Sequence, residues 1–307
     1  MFKPQGIYAA MLTPFTDDGR VNEQVVRQMV DFMVSKGLHG LFPVSSVGEF
    51  VHLSLDQSLE MMEIVVNQAA GRIAVTPGVS STCAINSIRL AQKAKELGCA
   101  AVVMCPPYYY TLGQDSILKH FEAVIDSVDI PVILYNIPLF TTPISAEVVT
   151  QLSRKANVVG MKDSSGSMVE LMHYVDNLRR AGSQMSFLTG REDMLAPALT
   201  VGIQGCMTAC AGILPEVLLG IWEAYHSGHW EKAKGLQFAL LPVIREMFSV
   251  PFPAGFKAAM ECRGFAMGPL MQPLSAVEEA HLEAVRTSLQ THIDELLQLV
   301  KREASGN

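Results

Sequence analysis

Val158-Val159-Gly160-Met161-Lys162-Asp163-Ser164-Ser165-Gly166 reads as a strand buried on both faces, with one lysine set near its end. It follows a helix-like segment, Ser145 to Ala156, and precedes another that begins near Met168. An apolar strand between helices pairs in parallel, because crossover helices cover both faces of such a sheet. An ammonium at the end of that strand must either reach water or be kept for a purpose. If it is kept, lost hydration disfavours the charged form and lowers the pKa. A neutral amine among hydrophobic neighbours is what attack on a ketone requires, so Lys162 is a candidate Schiff-base residue. The alternative is a lysine that ends a barrel strand and extends into solvent.

The same alternation spans most of the chain. Strand candidates fall at 7–12, 39–46, 73–80, 100–107, 131–136, 158–165, 186–191 and 205–210. Helix-period segments lie between them, and those at 21–37, 54–71 and 85–98 each end in glycine, the expected stop. Eight such units in about 225 residues match a (β/α)8 TIM barrel in number and length. A doubly wound open sheet is the alternative, but no Gly-x-Gly-x-x-Gly follows the first strand. From about residue 228 onward the pattern is helical only, with a break at Pro251-Phe252-Pro253. The chain therefore divides into a catalytic barrel, 1–227, and a C-terminal helical appendage, 228–307, with fraying expected over Ser305-Gly306-Asn307.

Of the 307 residues 49% are hydrophobic and only 17% charged, which suits a large core. Net charge is −7 with no run of lysine or arginine, so nucleic acid and anionic membrane surfaces are poor partners. No segment reaches the roughly eighteen uninterrupted apolar residues of a membrane helix, and the N-terminus lacks a signal-peptide hydrophobic stretch. A cytoplasmic location is expected. The six cysteines form no Cys-x-x-Cys pair and read as small buried hydrophobes in a reducing compartment. His226 and His229 sit near a helix end without acidic or cysteine neighbours, so no metal is expected there.

In a parallel barrel the C-terminal strand ends converge on one face and build the active site. Here those ends carry Ser45-Ser46-Val47-Gly48-Glu49, Pro106-Pro107-Tyr108-Tyr109-Tyr110, Tyr135-Asn136-Ile137-Pro138, Lys162 and Gly190-Arg191-Glu192-Asp193. An amine, several phenols, a hydroxyl-bearing turn and a cation on one face suit carbonyl chemistry on an anionic substrate.

Pro-Pro-Tyr-Tyr-Tyr, Tyr-Asn-Ile-Pro and Gly-Met-Lys-Asp-Ser-Ser-Gly occur in the order and spacing of the dihydrodipicolinate synthase / N-acetylneuraminate lyase family, which the whole chain resembles. Leu12-Thr13-Pro14 and the helical C-terminus fit the same pattern. The resemblance implies a class I, pyruvate-handling aldolase on a (β/α)8 barrel. It implies no external cofactor, a small-molecule partner and a homotetramer built as a dimer of dimers. By the same resemblance Lys162 condenses with the ketone of pyruvate, and Tyr135 is the general acid/base. Ser46 links that tyrosine to a relay, which a neighbouring subunit's copy of Tyr109 completes. The backbone N–H groups of Ser46 and Val47 resemble the family's carboxylate-binding turn. A phenol of pKa about 10 is a poor base alone, but a chain of hydroxyls can lend and return its proton. Tyr135 could instead be a packing aromatic, Glu49 reads as a structural acceptor of backbone N–H groups, and Tyr108 and Tyr110 as packing or subunit-contact residues.

Two departures bear on the substrate. Where dihydrodipicolinate synthases place a carboxylate-binding arginine this chain has Phe140, which offers no bidentate fork. Val47 also removes a side-chain donor from the usual turn. In the turn Gly190-Arg191-Glu192-Asp193, Arg191, Glu192 and Asp193 are candidate ligands for a hydroxylated or anionic aldehyde. The two acids equally suit capping of the next helix, and Arg191 either an ion pair with one of them or a position pointing out of the site. The expectation is a Schiff-base aldolase for a 2-keto-3-deoxy sugar acid or related 4-hydroxy-2-oxo acid, with pyruvate as one partner. N-acetylneuraminate lyase, or a dehydratase or hydratase-aldolase, are the alternatives within the family, with dihydrodipicolinate synthase proper disfavoured. A non-catalytic keto-acid-binding barrel is the alternative of a different class.

Overall fold

The computed structural model describes residues 2–305. Eight parallel strands form the sheet: β1 (Gly6–Ala10), β2 (Gly40–Phe42), β3 (Ala74–Val75), β4 (Val102–Met104), β5 (Val132–Asn136), β6 (Val158–Asp163), β7 (Ser186–Thr189) and β8 (Gly205–Thr208). Their order is β3-β2-β1-β8-β7-β6-β5-β4. Between the outer pair, Gly78 bridges Val103 in parallel. Val79 N–H donates to Val103 O, and Val103 N–H to Pro77 O, each at 2.9 Å. These bonds join β3 to β4, and the sheet is a (β/α)8 barrel rather than an open doubly wound sheet.

The outer layer is α1 (Glu23–Ser35), α2 (Leu55–Ala69), α3 (Ala84–Glu96), α4 (Gln114–Ile125), α5 (Ala146–Leu152), α6 (Met168–Arg180), α7 (Leu195–Leu199), α8 (Ala209–Ile213) and α9 (Pro215–His226). Beyond it come α10 (Trp230–Met247), α11 (Ala254–Glu261) and α12 (Ala276–Ser305). Local chemistry sets the helix ends. Ser54 and Gln57 form a reciprocal capping box at the start of α2. Gly37, Gly71 and Gly98 follow α1, α2 and α3 with φ of +81°, +73° and +76°. Gly306 and Asn307, where fraying was expected, lie outside the described residues.

Every residue of β5 and β6 is buried, which is why their sequences are apolar without alternation. The hydrogen-bonded strands are shorter than the apolar runs that contain them. Pro43, Pro77, Pro106 and Pro107 fall in the tails of those runs and have no N–H to donate to a ladder. The tail of the β3 run stays hydrogen-bonded to Val103 of β4, and beyond it the chain passes into the loops at the C-terminal ends of the strands. Cys210, expected at the end of a strand, lies in α8. Cys105, Cys206 and Cys210 are buried and all six thiols are free, although Cys83 is exposed. Among the described residues no helix is long and apolar enough to cross a membrane.

The C-terminal helices are fastened to the end of the barrel at which the strands terminate. On α10, Gln237 donates to Glu192 O and accepts from Ala196 N–H. On α11, Lys257 forms a buried ion pair with Glu49 at 2.7 Å and donates to Pro269 O at 2.9 Å. The second Glu49 oxygen accepts from Met271 N–H. Glu49 is thus a structural acceptor, as expected, and also a clamp between the loop after β2 and the C-terminal helices.

Candidate active site

Register places Tyr135 of β5 directly beside Lys162 of β6. Parallel partners at one level of the pleat point to the same side, so phenol and amine share the barrel interior. Lys162 is only 3% exposed. Its Nζ lies 4.1 Å from the Tyr135 ring centroid and 4.8 Å from that of Phe42. Among the described residues no carboxylate reaches it at ion-pair distance. Burial is the main influence and lowers its pKa from 10.5 to about 7, with the Glu192 carboxylate pulling the other way.

The Tyr135 hydroxyl accepts from Ser46 Oγ at 3.5 Å and is also hydrogen-bonded to Ser164. Burial raises its pKa, so the phenol holds its proton at neutral pH. Ser164 is a site residue the sequence reading passed over. It lies two positions beyond Lys162, and residues two apart on an extended segment share a face. Gly190 makes room for both: a Cβ there would lie 2.0 Å from Ser164 Oγ and 2.7 Å from Lys162 Cε. At the turn after β2, no acceptor among the described residues takes the N–H of Ser46 or Val47. Their neighbours Gly48 and Glu49 donate back to Ser45 O and Ser46 O, which shapes the turn.

The residues after β7 are committed to the protein itself. Glu192 is buried, and its Oε1 accepts from Ala209 N–H and Cys210 N–H, capping α8 rather than the helix that follows it. Lost hydration raises its pKa. Arg191 pairs with Asp193 at 3.0 Å and lies 5.0 Å above the Phe248 ring. Gly190, Arg191 and Glu192 all still line the cavity. Tyr109 is not in the lining of the Lys162 cavity and borders only the chamber beside it: it is 88% exposed, has φ +80°, and packs on Tyr110 with ring centroids 5.0 Å apart. It does not reach Tyr135 within its own chain.

Lys162, Tyr135, Ser46 and Ser164 form the polar floor of a cavity of about 60 Å³. Leu139, Phe140, Phe248 and Phe252 also line it, and an adjoining chamber of about 290 Å³ shares Ser46, Ile137, Phe140 and Phe252 with it. Sequence reading singled out Phe140 but neither Phe248 nor Phe252. They arrive from after α10, more than a hundred residues away in the chain. Among the described residues no group of three His, Cys, Asp or Glu side chains is placed to hold a metal ion.

The dihydrodipicolinate synthetase family model matches residues 3–292. The chain belongs to that family. Its relatives in the family include a 4-hydroxy-tetrahydrodipicolinate synthase of Methanosphaerula palustris, 32% identical over 94% of this chain and 99% of that protein. An uncharacterized DapA-like lyase of Pyrococcus horikoshii is 34% identical over 88% of this chain and 93% of its own length. Among solved structures, YagE, a prophage protein of E. coli K12 in the dihydrodipicolinic acid synthase family, was determined in complex with pyruvate. It superposes with a TM-score of 0.88 at 27% identity, covering 94% of this chain and 98% of that one. The protein is accordingly an enzyme of the lyase and aldolase type.

Proposed function

We propose that this enzyme is a class I aldolase in which Lys162 forms an imine with the ketone of pyruvate. The observation that carries the reading is an amine buried without a carboxylate partner, beside a phenol held by two hydroxyls. A pKa of about 7 leaves much of it neutral at physiological pH, which a nucleophile needs.

The chemistry follows from the positions. The free N–H groups of Ser46 and Val47 take the carboxylate of the 2-oxo acid. Lys162 Nζ attacks C2, and Tyr135 passes its proton to the carbinolamine oxygen, which leaves as water. The iminium then draws electrons from C3, giving an enamine as the Tyr135 phenolate takes a C3 proton. The enamine attacks an aldehyde, and Tyr135 returns the proton to the new alkoxide, giving a 4-hydroxy-2-oxo acid once the imine is hydrolysed. Hydrolysis frees the product, and cleavage runs the same steps in reverse. The imine itself is the electron sink, so the cycle calls on no external cofactor. Tyr109, exposed on its own chain, reaches the relay of a neighbouring copy in a homotetramer.

Dihydrodipicolinate synthase activity proper is disfavoured, because Phe140 stands where a carboxylated aldehyde requires a cation. Solvent exchange tests the reading directly. Enamine formation replaces the methyl hydrogens of pyruvate with deuterium in heavy water, which proton NMR follows. The enzyme is expected to erase the methyl signal, and Tyr135→Phe to slow that loss by roughly 10²–10⁴-fold, the usual weight of a general acid/base. No exchange above the buffer rate would overturn the proposal.

A further inference from the structure

Phenylalanines dominate the mouth of the Lys162 cavity. Phe140 packs on Phe252 with centroids 5.5 Å apart, Phe252 on Phe256 at 5.7 Å, and Phe256 on Phe248 at 5.0 Å. Phe140 and Phe248 keep 45% and 37% of their surface exposed, and Leu139 beside them keeps 67%. Exposed apolar surface continuous with a reactive centre marks a place where a ligand is desolvated. The two charged side chains that follow Gly190 in the cavity lining are already occupied. Arg191 is neutralised by Asp193 and stacked on Phe248, and Glu192 is consumed by the N–H groups of Ala209 and Cys210. Apart from Lys162, Arg191 is the only cation among the residues lining the cavity. A sugar chain or a second carboxylate would lose water at this wall without regaining hydrogen bonds, whereas a flat apolar group would lose nothing polar.

We infer that the partner of pyruvate is an aldehyde carrying an aryl or other flat apolar group, seated against Leu139, Phe140, Phe248 and Phe252. The inference rests on the imine chemistry proposed above and narrows its substrate. In synthesis the enamine carbon bonds to the aldehyde carbon, the carbonyl oxygen takes a proton, and water hydrolyses the imine. The product is a 4-hydroxy-2-oxo acid with the apolar group on C4. In cleavage the C3–C4 bond breaks, its electron pair moves into the iminium, and the 4-hydroxyl loses its proton as the aldehyde leaves.

The test uses the intact enzyme with pyruvate and, separately, benzaldehyde, glyceraldehyde and aspartate semialdehyde, with kcat/KM read from product formation. Benzaldehyde is expected to lead both others by roughly tenfold or more, the scale of a few desolvated carbons in an apolar pocket. Phe140→Arg supplies the missing fork on a half-exposed position and is expected to reverse the order of benzaldehyde and aspartate semialdehyde. Borohydride reduction with pyruvate alone is run alongside. A trapped imine with glyceraldehyde or aspartate semialdehyde equal to or ahead of benzaldehyde overturns this inference and leaves the imine chemistry standing. Absence of the trapped imine overturns both.

Discussion

Tyr135 and Lys162 are register partners on adjacent parallel strands, and the amine sits 4.1 Å from the centre of the phenol ring. The ring therefore helps to exclude water from the amine. In the proposed mechanism one placement sets both the reactivity of the amine and the position of its acid.

That placement gives a pH dependence. The lysine releases its proton near 7 in the folded protein, so the neutral amine fraction falls about tenfold per pH unit below that value. Single-turnover imine formation with pyruvate is expected to fall with this slope below about 7 and to level off above it. A profile still rising steeply beyond pH 9 would show an amine with an ordinary pKa.

Stability should carry the opposite signature. The unfolded chain keeps the lysine proton up to about 10.5, and the folded chain only to about 7. The cost of burying the charge is therefore full below 7 and fades as pH rises towards 10.5. Lys162→Met is expected to stabilise the fold by on the order of 3 kcal/mol at neutral pH. The gain should shrink in alkaline buffer, as denaturant unfolding at both conditions would reveal. A gain independent of pH would contradict it.

Gly190 is where a single methyl group should separate folding from chemistry. The alanine Cβ would overlap Ser164 Oγ and crowd Lys162 Cε. Gly190→Ala is expected to fold, since the clash is with side chains, while slowing imine formation by roughly 10²-fold, the usual cost of an ångström of misplacement. Circular dichroism with trapping kinetics checks both halves.

The Glu49–Lys257 clamp is expected to matter for stability. Lys257→Met leaves the Glu49 carboxylate buried and unpaired, a change that typically costs about 3–5 kcal/mol. Loosening is expected first in the C-terminal helices, as faster amide hydrogen exchange in α11. Unchanged exchange there would mean that the packing of α11 alone holds it.

Much of this was legible in the chain because barrel strands buried on both faces leave an uninterrupted apolar signature, and lysine at 162 interrupts it. Local chemistry was equally open to reading, as in the glycines that end the first three helices. What stayed hidden depends on distance in sequence. Phe248 and Phe252 reach the mouth only because α10 and the segment after it fold back over the barrel. The partner of Glu49 lies on α11, and the groups capped by Glu192 lie beyond β8. Arg191 was read as a substrate cation or as a partner of its neighbouring acids, and only the geometry of the turn shows it paired with Asp193. Ser164 was within reach, since alternation from Lys162 points to it.

The central claim is that Lys162 is the nucleophile, and covalent trapping addresses it most directly. The enzyme is treated with pyruvate and borohydride, digested, and its lysines mapped by mass spectrometry. A single reduced adduct is expected on the peptide carrying Lys162, and none in Lys162→Arg, whose guanidinium stays charged and cannot add to a ketone. An adduct on any other lysine, or one that persists in Lys162→Arg, would contradict the assignment.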